Sequence, residues 1–120
     1  MSKGISNTSR TLEYIRSQGW EAGKVEQFNP YAGEFGKRKD LFGIFDIIAM
    51  GEDGIIGIQS CGQNFAEHDR TILNNPNSLT WIEKGGTILL IGWRKIKLRR
   101  GSKALRWAPR IKSYSVKDFK

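Results

Sequence analysis

The alternation of hydrophobic and polar positions divides this chain into helical and extended segments. Apolar residues recur with helical spacing near the N-terminus and again in the middle, whereas the other apolar runs are short and strand-like. The predicted elements are a helix over 8–18, strands over 20–28, 41–50 and 55–61, a helical region from Asn64 to Gly85, and strands over 87–93 and 104–116. The order α-β-β-β-α-β-β indicates the α/β class.

Two of the predicted strands form a hairpin whose register can be stated. The runs LFGIFDIIAM and IIGIQSC flank residues 51–54, Gly-Glu-Asp-Gly, which have the composition of a turn. If Met50 faces Ile55, the pairing places Asp46 directly opposite Gln59. The hairpin therefore predicts a carboxylate and an amide side chain close together on one face of the sheet.

The remaining sequence signals indicate where helices begin, where a loop lies and which strand is at a sheet edge. Asn64 with Glu67 three residues later predicts a helix start, and Asn75 followed by Pro76 predicts a second one, so we expect a helix interrupted or re-capped near residue 75. The segment 31–39 is glycine-rich and basic, and it predicts a loop. Pro109 cannot donate to a ladder, which indicates that the last strand lies at a sheet edge.

Length and composition narrow the class of protein. A chain of 120 residues and 13.6 kDa predicts one domain over 1–120, and 38% hydrophobic residues suffice for a core. A single cysteine, Cys61, excludes an intramolecular disulfide, and with a single histidine it excludes the usual structural zinc sites. Since no apolar run is long enough for a leader or a membrane span, we expect a soluble, cytoplasmic protein.

The charge is concentrated in the C-terminal part of the chain. The net charge is +8, and the segment from Arg94 to Lys120 has eleven basic residues and one acid. Trp107 and Tyr114 interrupt this basic segment, and cations with interspersed aromatic rings are typical of nucleic-acid-binding surfaces. A solvated basic face on an ordinary small protein is the alternative, because charge alone predicts only nonspecific binding.

Asp46 is the residue with the clearest chemical meaning. It lies among apolar strand residues, where an uncompensated carboxylate carries a large desolvation cost. Two hard oxygens, from Asp46 and Gln59, can hold Mg²⁺ or Mn²⁺ with waters and a substrate phosphate completing the shell. A polar pair in which Gln59 simply hydrogen-bonds Asp46 explains the same pattern.

The segments KRKDLFGIFDII, IIGIQSC and EKGGTILLIGWRK resemble the PD-(D/E)XK nuclease superfamily, most closely the small archaeal-type Holliday junction resolvases and related phage nucleases. The resemblance covers residues 8–93. It implies a restriction-endonuclease-like α-β-β-β-α-β core with a mixed central sheet flanked by helices. It also implies that Asp46, Gln59 and the backbone carbonyl of Ser60 bind Mg²⁺ or Mn²⁺, that the protein cuts DNA, including branched DNA such as Holliday junctions, and that it forms a homodimer. If the gene belongs to a phage, the expected location is the host cytoplasm.

The chain departs from the family motif at two positions. Gln59 stands where the family has an acid, and Cys61 stands where it has a lysine. A cysteine cannot supply a permanent cation to the scissile phosphate, so Lys39 or Lys95, at strand ends, are the candidate replacements. Asp40 is a candidate second metal ligand or, alternatively, a loop cap.

Three functions remain open at this point. The first is a metal-dependent DNA endonuclease, the second is a noncatalytic nucleic-acid binder that has lost the Glu-x-Lys motif, and the third is a structural subunit of a nucleic-acid assembly. Glu13 is expected to be a plain surface acid, and His68 is either a proton shuttle or a solvated side chain near a helix start. The predicted nucleic-acid contacts are Lys37, Arg38, Arg94, Lys97, Arg99, Arg100, Lys103, Arg106, Trp107 and Arg110.

Overall fold

The structure, a computed structural model, describes residues 5–29, 31, 37–52, 54–101 and 103–120. Its elements are α1 (Asn7–Ser17), β1 (Glu21–Lys24), β2 (Gln27–Asn29), β3 (Lys37–Lys39), β4 (Ile47–Gly51), β5 (Gly54–Cys61), α2 (Phe65–Asn74), α3 (Pro76–Glu83), β6 (Thr87–Lys97), β7 (Leu105–Ser113) and a 3₁₀ turn (Val116–Asp118).

The main sheet has five strands in the order β1-β4-β5-β6-β7. Strands β5 and β6 are parallel, and the other neighbours are antiparallel. The parallel pair requires a long connection, which α2 and α3 provide. The predicted α/β class is therefore confirmed, with a mixed sheet and flanking helices. The short strands β2 and β3 pair separately.

Helices cover both faces of the main sheet. On one face, Ile15 of α1 packs with Ile47, Ile58 and Ile91. On the other face, apolar residues of α2 pack against the sheet and the segment before β4; this cluster includes Phe65, Ile72, Phe45, Leu90 and Cys61. Burial of these aliphatic and aromatic side chains stabilises the fold by about 1.5–3 kcal/mol for each large one.

The helix starts follow the predicted capping chemistry only in part. Asn75 accepts a hydrogen bond from the Asn77 amide at 2.9 Å, with Pro76 in the first helical turn, so the predicted second start is confirmed. Asn64 precedes α2 as predicted, but its side chain makes no capping bond. It contacts His68 instead.

Several predicted boundaries were wrong. The strand predicted over 41–50 begins only at Ile47, because residues 41–45 form a tight turn with positive φ at Phe42 and Gly43. The strand predicted over 20–28 is divided between two sheets. Part of the predicted loop 31–39 is strand β3, and residues 32–36 of that loop lie outside the described residues.

The last two strands differ less from expectation. Strand β6 continues past the predicted residue 93 to Lys97, and β7 pairs only with β6, which confirms the predicted edge position. Within the described ranges, the helices are too short and too polar to cross a membrane.

Candidate functional site

Asp46 lies immediately before β4 with only 4% of its surface exposed. The neighbouring pairs Ile47–Ile58 and Met50–Ile55 confirm the register predicted for this hairpin. Both carboxylate oxygens accept the Ser60 amide hydrogen, at 3.2 and 3.3 Å, and Thr8 donates its hydroxyl to Oδ2 at 3.3 Å. Asp46 is therefore fixed between β5 and the first turn of α1.

The electrostatic surroundings of Asp46 are negative. Burial is the main cause that raises the pKa of Asp46 to about 7; the nearby charges of Asp40 and Glu26 contribute to this rise, and the hydrogen bonds from Ser60 and Thr8 oppose it. The pKa of Asp40 is also raised, by burial and by Glu26, with His68 opposing the shift. We call Glu26, Asp40 and Asp46 the acidic cluster.

Gln59 is buried beside this cluster but does not bond Asp46. In the orientation that satisfies its neighbours, the amide oxygen accepts from His68 Nδ1 at 3.1 Å, and the amide nitrogen donates to Asp40 Oδ2 at 3.1 Å and to the Ile44 carbonyl. Asn64 contacts the second ring nitrogen of His68 at 3.1 Å. The polar pair between Gln59 and Asp46 is therefore wrong as an interpretation, and so is a freely solvated His68.

These contacts change the expected metal-ligand set. The Gln59 oxygen is directed to His68, so among the predicted ligands the carboxylates of Asp46 and Asp40 are the groups available to a cation. Across the described part of the chain, no three His, Cys, Asp or Glu side chains are grouped closely enough to hold a metal ion. Magnesium is often held by one or two carboxylates with several waters, so Asp46 and Asp40 stay candidate ligands. The carbonyl of Ser60 as a ligand stays a prediction.

The two candidate lysines lie in different parts of the structure. Lys39 is exposed at the end of β3, directly before Asp40. Lys95 lies five residues beyond Leu90, the β6 partner of Gln59, which corresponds to about 16 Å along the strand. The structure therefore does not bring Lys95 to Asp46. Cys61 is buried, and burial raises its pKa to about 11, so the thiol stays neutral.

A groove with basic and aromatic residues lies beside this site. It is lined by Asn7, Gly62, Gln63, Trp93, Arg94, Lys95 and Trp107, and we call it the basic groove. The Trp107 ring is 43% exposed, with the Arg10 guanidinium 3.9 Å and the Lys95 ammonium 5.1 Å from its centroid. Such stacking holds the cations in place while leaving their donors free for phosphate oxygens.

The other predicted contacts distribute over three places. Arg110 stacks on Phe65 at 4.1 Å, next to Arg94 in an adjoining depression. Exposed residues at the far end of the β6–β7 hairpin include Lys97, Arg99, Arg100, Lys103 and Arg106. Lys37 and Arg38 are in β3, which pairs with β2 and not with the main sheet. Arg94 thus lines both the basic groove with Trp107 and the adjoining depression with Arg110, and the hairpin-tip cations line neither of them.

The first turn of α1 connects the basic groove to the acidic cluster. Asn7 lines the groove, and the next residue, Thr8, donates its hydroxyl to Asp46. A polyanion in the groove would therefore lie next to buried carboxylates, and a phosphate can approach carboxylates closely only when a cation is shared between them. Asn7 and Thr8 are therefore the residues through which the two features adjoin.

Sequence reasoning missed Glu26 and Arg10. Glu26 follows β1, and β1 pairs with β4 so that Lys24 faces Ile47. The sequence shows Glu26 as an acid at a strand end, but its place near Asp46 follows only once the β1–β4 pairing is known. Arg10 reaches the Trp107 ring from a helix far away in sequence. No local pattern shows that contact.

Comparison with known proteins gives no match to a family model, a curated protein or a solved structure.

Proposed function

We propose that this chain is a divalent-metal-dependent endonuclease that hydrolyses phosphodiester bonds in DNA, including branched DNA. The observation that carries the proposal is the buried carboxylate of Asp46, which is bonded by Thr8, while the preceding residue, Asn7, lines the basic groove. The chain order supports it, because α1, the antiparallel strands β1, β4 and β5, and the helical connection to parallel β6 correspond to the α-β-β-β-α-β order of restriction-endonuclease-like cores.

Each residue then has a defined task. Asp46 and Asp40 would hold a divalent ion, which when bound would supply activation of a water and neutralisation of phosphate charge. Ser60 and Thr8 orient the Asp46 carboxylate, and Gln59, held by His68, orients Asp40. The cations of the basic groove bind the DNA backbone, and a twofold dimer would pair two such sites on a symmetric branched substrate.

A second function is favoured by one specific observation. The buried thiol of Cys61 occupies the position of the catalytic lysine, and the Gln59 oxygen is directed to His68. A chain that kept a nucleic-acid-binding surface but lost the catalytic lysine and the acidic metal ligand would have these two features. The alternative is therefore a noncatalytic nucleic-acid binder on the same fold.

Cleavage assays separate the two functions. We expect labelled DNA in duplex, nicked, flap and four-way forms to be cut with Mg²⁺ or Mn²⁺, and Asp46→Asn to reduce the rate at least about 100-fold. Binding should change less than about twofold, because the basic groove supplies the affinity. Glu13→Gln is the matched control, since it removes the same charge from an exposed position. Salt-dependent DNA binding without cleavage of any of these DNAs would establish the noncatalytic binder.

A further inference from the structure

The turn before β4 carries a bulky aromatic residue in a backbone conformation that disfavours it. Phe42 has φ +59° and Gly43 has φ +74°, and the Ile44 amide donates to the Leu41 carbonyl at 3.1 Å. Glycine, asparagine and aspartate are the usual residues at a positive-φ turn position, whereas a bulky side chain there is strained. A fold that needed only this turn would not require a phenylalanine.

Two asparagines fix this conformation from outside the turn. Asn75 and Asn77 each donate a side-chain amide hydrogen to the Phe42 carbonyl at 3.2 Å. Asn75 also caps α3, so the turn is attached to the start of a helix. The surrounding structure thus holds Phe42 in its strained conformation, which is the situation in which backbone strain indicates a function.

The ring of Phe42 gains little from burial. It is 51% exposed and lies 6.3 Å from the partly buried Trp81 ring, centroid to centroid. Together they line a groove of about 230 Å³ whose other residues are Asn77, Thr80 and Lys84. Phe42 and Lys39 also line a second groove, which includes Asp40. The half-exposed Phe42 therefore borders two grooves that each contain one lysine, and it lies two residues from Asp40 of the acidic cluster.

We propose that Phe42 stacks on an unpaired DNA base beside the acidic cluster. The occupant is argued from chemistry, because a flat apolar ring flanked by amide donors and lysines complements a base and its flanking phosphates. The proposal depends on the DNA-binding part of the proposed function and specifies its substrate class. DNA with an unstacked base, as at a bulge, flap or branch, is preferred over continuous duplex.

The test compares two DNA probes in EDTA, where no metal-dependent cleavage occurs. One is a duplex with a single unpaired 2-aminopurine, and the other is the same duplex fully paired. Wild type should bind the bulged probe at least about fivefold more tightly and change its fluorescence. Phe42→Asn should abolish both effects, and Phe42→Tyr should retain them.

The choice of asparagine at position 42 also ensures that a lost preference cannot be explained by a folding defect. Asparagine adopts positive φ more easily than phenylalanine, so this variant should melt at the same or a higher temperature than wild type. The control is Met50→Ala, which removes a similarly exposed apolar side chain from the far end of β4 and should leave the preference unchanged.

The outcomes separate this proposal from the nuclease proposal. An unchanged preference in Phe42→Asn overturns the stacking role, even if the enzyme cuts DNA. A dimer in wild type that becomes a monomer in Phe42→Asn, with equal binding of both probes, also overturns it in favour of self-association. A lost preference in Phe42→Asn supports the stacking role whether or not any metal supports cleavage.

Discussion

Asp46 and Asp69 are aspartates of one small fold with opposite electrostatic surroundings. Asp46 is bonded by a backbone amide and a hydroxyl, and its nearest charges are other acids. Asp69 accepts hydrogen bonds from Lys112 Nζ at 2.8 Å and from the Tyr114 hydroxyl at 2.5 Å. Burial alone would raise the pKa of Asp69, but the bonds from Lys112 and Tyr114 outweigh it, and the pKa is lowered.

The difference shows how this fold uses acidic residues. Asp69 connects α2 to β7 and to the residue that follows β7, and there the sequence supplies a cation, Lys112, and a hydroxyl, that of Tyr114, as partners. Around Asp46 it supplies two further carboxylates, of which Glu26 is paired with Lys24 at 3.3 Å, although buried charges in proteins are normally paired or bound to metals. This contrast supports the proposal that the partner of Asp46 is a cation from outside the chain.

The largest expected effect is that two matched substitutions change the free energy of unfolding in opposite directions. At pH 8 in EDTA, Asp69→Asn should lower the free energy of unfolding by about 1–3 kcal/mol, because it removes a charged acceptor from Lys112 and Tyr114. Asp46→Asn should raise it by about 1–3 kcal/mol, because the amide relieves burial of charge and still accepts from Ser60. Urea titration followed by tryptophan fluorescence measures both. Destabilisation by Asp46→Asn would contradict the assigned electrostatics.

The pH dependence of stability should show the same contrast. The native pKa of Asp46, about 7, lies above its ordinary value of 3.8, so the native state holds the proton more tightly and stability falls as pH rises from about 4 to 7. The advantage of Asp46→Asn over wild type should therefore disappear near pH 4 and be complete above pH 7.

Asp69 has the opposite dependence, since its native pKa is lowered. Its contribution is present above the ordinary pKa and is lost as pH falls through the lowered native value. The stability deficit of Asp69→Asn should consequently persist at pH 5 and shrink only in stronger acid. Urea titrations of wild type and both variants across this range check the two windows, and parallel profiles for the two variants would remove the distinction between these aspartates.

Local chemistry explains which parts were predictable from the sequence. The 51–54 turn fixed the hairpin register and placed Asp46 near β5, and Asn75-Pro76 marked the start of α3. The apolar run around Phe42 was mistaken for strand because its turn depends on asparagines more than 30 residues away. Glu26, Arg10 and the bond from His68 to Gln59 depend on tertiary contacts, which hydrophobic periodicity does not contain.

The smallest expected effect concerns Gln59, at the position where the resemblance to PD-(D/E)XK nucleases implies an acid. Gln59→Glu keeps one oxygen that can accept from His68 Nδ1, while its second oxygen replaces the amide donor that faces Asp40 Oδ2 and the Ile44 carbonyl, so it repels Asp40 unless a cation lies between the two carboxylates. The added negative charge should tighten Mn²⁺ binding about five- to tenfold in calorimetric titrations, because cation affinity follows ligand charge. Gln18→Glu adds the same charge at the exposed end of α1 and should leave the affinity unchanged. Equal Mn²⁺ affinities for the two variants would show that Gln59 lies outside the cation site and acts only through its bonds to Asp40 and His68.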